Sequence, residues 1–182
     1  MATIAYHRSS NRDALTVCVI LHALSSHRHV IVSHTPSSPG TVALAITVDN
    51  AVDVYHNREI VYSNGDWRVS DVITLDNPCV LAFRAVDYGV IPGILASTST
   101  GVVTDETWKC STVEQTGWYL YDFDDSAWDN ARVVDSHGAS PWGTFSDISA
   151  DAKWIWAQGT NTGTVYCRKK LCLGTAITHV HD

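Results

Sequence analysis

Residues Thr41 to Val48 read TVALAITV, with Val42, Leu44, Ile46 and Val48 alternating with small or polar neighbours. Successive side chains of a strand point to opposite faces, so this period of two predicts a half-buried β-strand. The same reading extends in both directions from that segment. Val52 to Tyr62 predicts one or two strands around the polar turn His56-Asn57-Arg58, and Ser63-Asn64-Gly65-Asp66 is a turn signal. Val69 to Leu75 and Cys79 to Val86 follow, separated by the breaker Asp76-Asn77-Pro78, and Cys79, Leu81, Phe83 and Ala85 share one face. Ile94 to Ala96, Thr107 to Val113, Ala131 to Val134, Lys153 to Ala157 and Thr164 to Leu171 continue the series. One short helical candidate, Asp124 to Ala131, has an acidic start and a Ser126 suited to capping a turn. Eight or more short strands without long amphipathic helices predict an all-β, jelly-roll β-sandwich rather than an α/β fold.

The first forty residues have a different character. They contain no tryptophan and close on the breaker cluster TPSSPG, Thr35 to Gly40. The expected organisation is an N-terminal extension over 1–40, a sandwich over 41–175 and a C-terminal tail over 176–182. Ala14 to Leu24 (ALTVCVILHAL) is the length of a signal-peptide core, preceded by Arg8 and Arg12 and followed by Ser25 and Ser26. Asp13 and the interrupting His22 argue instead for an additional strand. Setting Cys18 aside leaves Cys79, Cys110, Cys167 and Cys172, an even set that allows two disulfides in three connectivities. That arithmetic favours an oxidising, extracellular compartment. No C-x-x-C pair is present, which argues against a structural zinc site.

The formal net charge is −7 and the densest basic run is Arg168-Lys169-Lys170, which reads as a solvated strand end. Nucleic acid calls for a basic stripe and is disfavoured as a partner. No stretch of eighteen apolar residues occurs, so membrane insertion through a helix is not expected. The chain has no G-x-S-x-G, Walker or H-E-x-x-H motif, and a non-catalytic domain is expected. His27-Arg-His29 and His179-Val-His181 have chelating spacing but fall near the chain ends.

Several ordered motifs resemble galactose-binding-domain-like jelly rolls, modules found as lectin-like domains and as accessory domains of glycoside hydrolases. They are Phe123 to Ala131 (FDDSAWDNA), Pro141-Trp142-Gly143, Ala152 to Ala157 (AKWIWA) and Val165 to Lys169 (VYCRK). The first half agrees through Ile46 to Asn50 (ITVDN), Val54 to Asn57 (VYHN), Ala85 to Gly89 (AVDYG) and Gly93 to Ala96 (GILA). The resemblance covers about residues 41–173, and Arg58 stands where the family often has a turn glycine. It implies binding of a carbohydrate or glycoprotein, with no cofactor required beyond a structural calcium ion in some relatives.

Asp49, Asn50 and Asn57 sit at strand ends, where short rigid side chains can hold sugar hydroxyls, with Arg58 or Arg84 for bidentate contacts. Ordinary turn chemistry is the plainer reading of these residues. Trp67 and Trp118 lie beside turns and are the expected surface aromatics, whereas Trp108, Trp128 and Trp142 occupy structural motif positions. Asp122, Asp124, Asp125 and Asp129 concentrate carboxylates suited to calcium, with Asp87 or Asp105 as other donors. Against that, Asp124 and Ser126 can cap a turn while Trp128 fills the core. Cys110 and Cys167 align with inward-facing apolar residues and are candidate disulfide partners. Three functions remain open: a lectin-like or adhesion module, a protein-interaction sandwich without a sugar site, and a hydrolase accessory domain. An oligomer would add avidity to weak single sites.

Overall fold

The computed structural model describes residues 17–21, 30–36, 40–172 and 174–180. The chain divides into two units, Ser38–Leu171 and a second made of Met1–Ser37 with Cys172–Asp182. In the second unit β1 (Val17–Leu21), β2 (Val30–Pro36) and β14 (Gly174–Val180) form an antiparallel sheet in the order β1-β2-β14. The tail expected over 176–182 is therefore strand as far as Val180, and the expected linker is strand as far as Pro36. A pairing between segments so far apart in sequence leaves no local signal in either one. The rest of the candidate signal segment, together with His27, His29 and His181, lies outside the described residues.

The larger unit is an all-β sandwich of two antiparallel sheets, with no helix among the described residues. Its strands are β3 (Thr41–Asp49), β4 (Ala51–His56), β5 (Glu59–Asn64), β6 (Asp71–Asp76), β7 (Val80–Asp87) and β8 (Gly93–Thr98). They continue as β9 (Lys109–Ser111), β10 (Asp129–Asn130), β11 (Arg132–Ser136), β12 (Lys153–Trp156) and β13 (Gly163–Lys170). One sheet runs β10-β9-β13-β7-β4-β5 and the other β11-β12-β8-β3-β6. Leu44 and Ile46 of β3 and Ile155 of β12 meet Val54, Phe83 and Val165 of the facing sheet in one buried core. These are the alternate positions that period two selects.

Both sheets also carry cover on their outer faces. Segment 142–152 lays Trp142, Phe145 and Ile148 over Ala45, Leu95 and Trp154 on the five-stranded sheet. Gly93 makes room there, because a Cβ at that position would sit 2.6 Å from Cε3 of the fully buried Trp154. On the six-stranded sheet Trp118 and Trp128 cover Ala82 and Tyr166. The expected helix at Asp124 to Ala131 is corrected: the segment forms turns and then enters β10. The Ser126 N–H donates to Asp124 Oδ1 and Trp128 is buried, so a single side-chain-capped turn meets the local hydrogen-bond requirement.

Candidate functional site

The residues expected to bind ligand separate into distinct places. Asp49 and Asn50 lie at the crossover from β3 to β4, joined by a cis peptide bond. Trp142 Nε1–H donates to Asp49 Oδ2 at 2.8 Å, and the Tyr88 N–H donates to Asn50 Oδ1 at 2.8 Å. Asp87 ends β7 close by, almost wholly buried, with Oδ2 lacking a hydrogen-bond partner. Desolvation pushes both carboxyls above the usual range, and the charge of Asp49 adds to the effect on Asp87. A carboxyl raised in the folded state favours folding while protonated, so its contribution is lost as pH rises through the raised value. Asp87→Asn is therefore expected to gain stability over the parent progressively from about pH 4 upward, the ordinary carboxyl range. Urea denaturation of both proteins across that range measures the effect. Parallel pH profiles would contradict it.

Asn57 and Arg58 occupy the exposed two-residue turn between β4 and β5, at the opposite end of β4 from Asn50. Both have positive φ, 50° and 74°, the twist that tight hairpins require, so their conformation serves the turn. Trp67 is half-buried against the Trp142–Trp154 cluster, and its carbonyl accepts from Thr47 Oγ1 at 3.1 Å. The expectation of an exposed Trp118 is corrected. Trp118 is 1% exposed, edge-on to Tyr55 and Tyr166 and stacked near Trp128. It faces outward from the sandwich core but is enclosed by the sheet's own tyrosines.

Two of the aspartates of segment 122–125 have protein partners. Asp125 pairs with Arg168, and Asp124 caps the Ser126 turn. Among the described residues no group of three or more His, Cys, Asp or Glu side chains is arranged to hold a metal ion. Cys110 and Cys167 are joined by a disulfide across the neighbouring strands β9 and β13, and Cys79 and Cys172 are also disulfide-bonded.

A cleft of about 250 Å³ opens beside that disulfide. Its lining mixes apolar residues such as Val113, Ala127 and Trp128 with the polar Ser111, Gln115 and Asp129. Gln115 Oε1 accepts from Trp128 Nε1 at 3.3 Å, and Gln158 Nε2 donates to the Asn130 carbonyl at 3.3 Å. Ser111 Oγ exchanges two 3.0 Å hydrogen bonds with the Val113 backbone. Ser111, Gln115 and Gln158 are thus held in place, and the lining carries one carboxylate and no cation. This combination suits an uncharged ligand with one apolar face and several hydroxyls. Sequence reasoning missed Ser111, at the end of a predicted strand, and Gln115 and Gln158, which stand outside the strands.

Arg84 has a different setting on the outer face of the six-stranded sheet. Its Nη1 lies 3.0 Å from Asp53 Oδ2, and Ser63 Oγ donates to Asp53 Oδ1 at 2.6 Å. On its other side Tyr166 donates to Glu114 Oε2 at 3.2 Å. Burial, reinforced by Glu114, pushes the Tyr166 phenol up and keeps it a donor.

Part of the chain is similar to an α-L-rhamnosidase of Streptomyces avermitilis, 33% identical over 132 residues, covering 62% of this chain. The matched region is 13% of that enzyme's length. No protein-family model and no solved structure matches the chain. No helix among the described residues is long and apolar enough to cross a membrane.

Proposed function

We propose that this chain is a non-catalytic, carbohydrate-binding accessory module of an extracellular glycoside hydrolase, and that the cleft beside Trp128 holds one uncharged sugar ring. The cleft is the observation that carries this reading. Its volume suits a single pyranose, the exposed Val113 and Ala127 offer it apolar contact, and its amides and hydroxyls match sugar hydroxyl groups. The similarity to one segment of a rhamnosidase supports a place beside a catalytic domain. The disulfides support an oxidising compartment.

Glycan-array binding followed by calorimetry tests the reading, with L-rhamnose included because of the relative's name. Gln115→Ala and Asp129→Ala are each expected to weaken binding about tenfold, the equivalent of one good hydrogen bond. Unchanged affinity in both variants would move the site elsewhere. A blank array with folded protein favours a second reading, protein interaction. That alternative rests on Tyr88, Val90 and Ile91, apolar residues exposed together on the β7–β8 loop.

A further inference from the structure

Two places where the chain passes between the sheets contribute to the cleft. Trp128 and Asp129 line it just before the chain leaves β10 of the six-stranded sheet for β11 of the five-stranded one. Ala157 and Gln158 line it where the loop over 157–162 carries the chain back from β12 to β13. The first crossing is pinned by its own backbone. Ala131 is buried and its N–H donates to the Trp108 carbonyl at 2.8 Å, while Lys109 Nζ donates to the Trp128 carbonyl at 3.0 Å. The second crossing has less to hold it, because beyond the buried Ala157 it reads Gln-Gly-Thr-Asn-Thr, with no apolar side chain to bury. The hydrogen bonds between Thr160 and Thr162 shape its turn without tying it to the sheets. Arg132 supplies the anchor. It opens β11 opposite Trp156 and is half-buried. Its Nε donates to the Ala157 carbonyl at 3.3 Å, and its Nη2 donates to the Thr160 carbonyl at 3.0 Å and to Asn161 Oδ1 at 2.7 Å.

We infer that Arg132 is a positioning residue for the cleft: it stands outside the lining and clamps the 157–162 loop so that Gln158 is set for a sugar hydroxyl before the sugar arrives. The inference rests on the carbohydrate-binding reading and adds to it the device that keeps the site formed. A planar guanidinium holds several oxygens in one fixed arrangement, which a lysine ammonium on its flexible stem does not reproduce. Gln158 Nε2 in turn donates to the Asn130 carbonyl at 3.3 Å and closes the two crossings on each other. That bond uses one amide hydrogen and leaves Oε1 and the second N–H of Gln158 for a ligand. A ring that meets a wall already in place loses less freedom on binding than one that must order the loop itself.

Titration calorimetry with L-rhamnose, D-galactose, D-glucose, D-mannose and D-xylose tests the clamp. Arg132→Ala and Gln158→Ala should each weaken binding of the best of these sugars about tenfold. The double variant should also lose only about tenfold, because Arg132 acts through Gln158 and the two losses are one. A loss in the double variant of about a hundredfold, the product of the two, would overturn that coupling. Arg132→Lys keeps the charge without the planar fork and should stay close to the alanine variant, whereas full affinity in it would overturn the clamp. Should Arg132→Ala not fold, Asn161→Ala removes one of the three bonds and carries the same test. Its binding should be about threefold weaker and no weaker again with Gln158→Ala than in Gln158→Ala alone, and unchanged affinity would overturn the clamp. Unchanged affinity in Arg132→Ala, with Gln115→Ala still weakening binding, would overturn the clamp and leave the cleft reading standing. No binding of any of the sugars, or binding indifferent to Gln115→Ala, would overturn both.

Discussion

Replacing Cys110 and Cys167 together by alanine is expected to lower the unfolding free energy by about 4 kcal/mol. The two cysteines are 57 residues apart, and joining them closes a loop that the unfolded chain would otherwise explore freely. Within that loop lie β10, β11 and β12 and both tryptophans of the β12 strand. Because β9 is three residues long, its pairing with β13 supplies few backbone hydrogen bonds of its own. The covalent link therefore holds this edge in register. Urea denaturation of the double variant and the parent measures the difference. A change below about 1 kcal/mol would mean that the unfolded chain retains contacts across this loop without the link. Cys110 also lines the cleft, so the variant should bind sugar less well than its remaining folded fraction accounts for.

Arg168→Ala is expected to destabilise the domain by about 3 kcal/mol, the lower end of the effect of breaking a buried ion pair. Arg168 is fully buried on β13, where its guanidinium pairs with Asp125, donates to the Leu120 carbonyl at 2.7 Å and lies over the Phe123 ring. Burial pushes its pKa down to about 10, with the charge of Asp122 opposing the shift. Three anchors from one side chain fasten segment 120–125, and with it Trp118, onto the sheet. Asp125 keeps some exposure and can partly rehydrate when the arginine is removed, which places the effect at the lower end. Differential scanning calorimetry should show a fall in Tm of about 10 °C. Pairing Arg168→Met with Asp125→Leu should recover much of that loss, since a well-packed apolar pair can replace a buried ion pair. A single variant as stable as the parent would show that the segment is held by its aromatic contacts alone.

The two-sheet core was legible because period two selects Leu44, Ile46, Val54 and Phe83 directly. The same pattern marks Cys110 and Cys167 as inward-facing and so as candidates for pairing. Period two separates the faces of a strand but does not say what lies over the outer one. For that reason Trp118, beside a turn, read as a surface residue although tyrosines from β4 and β13 enclose it. For segment 122–125 the sequence shows the density of the aspartates and not their partners. Arg168, which reads as part of a solvated basic run, is the partner that takes Asp125. The cleft residues come from the turn after β9, the approach to β10 and the end of β12, and only the folded chain brings them together.

Chemical-shift mapping of the isotopically labelled chain, titrated with the sugar that scores highest on the array, is the most direct test of where binding occurs. The expected result is a set of shifts centred on the amides of Ser111 to Gln115, the Trp128 indole and the side-chain amides of Gln115 and Gln158. Shifts confined to Asp49, Asn50 and the Tyr88 loop, with the Trp128 indole unmoved, would contradict the cleft as the binding site.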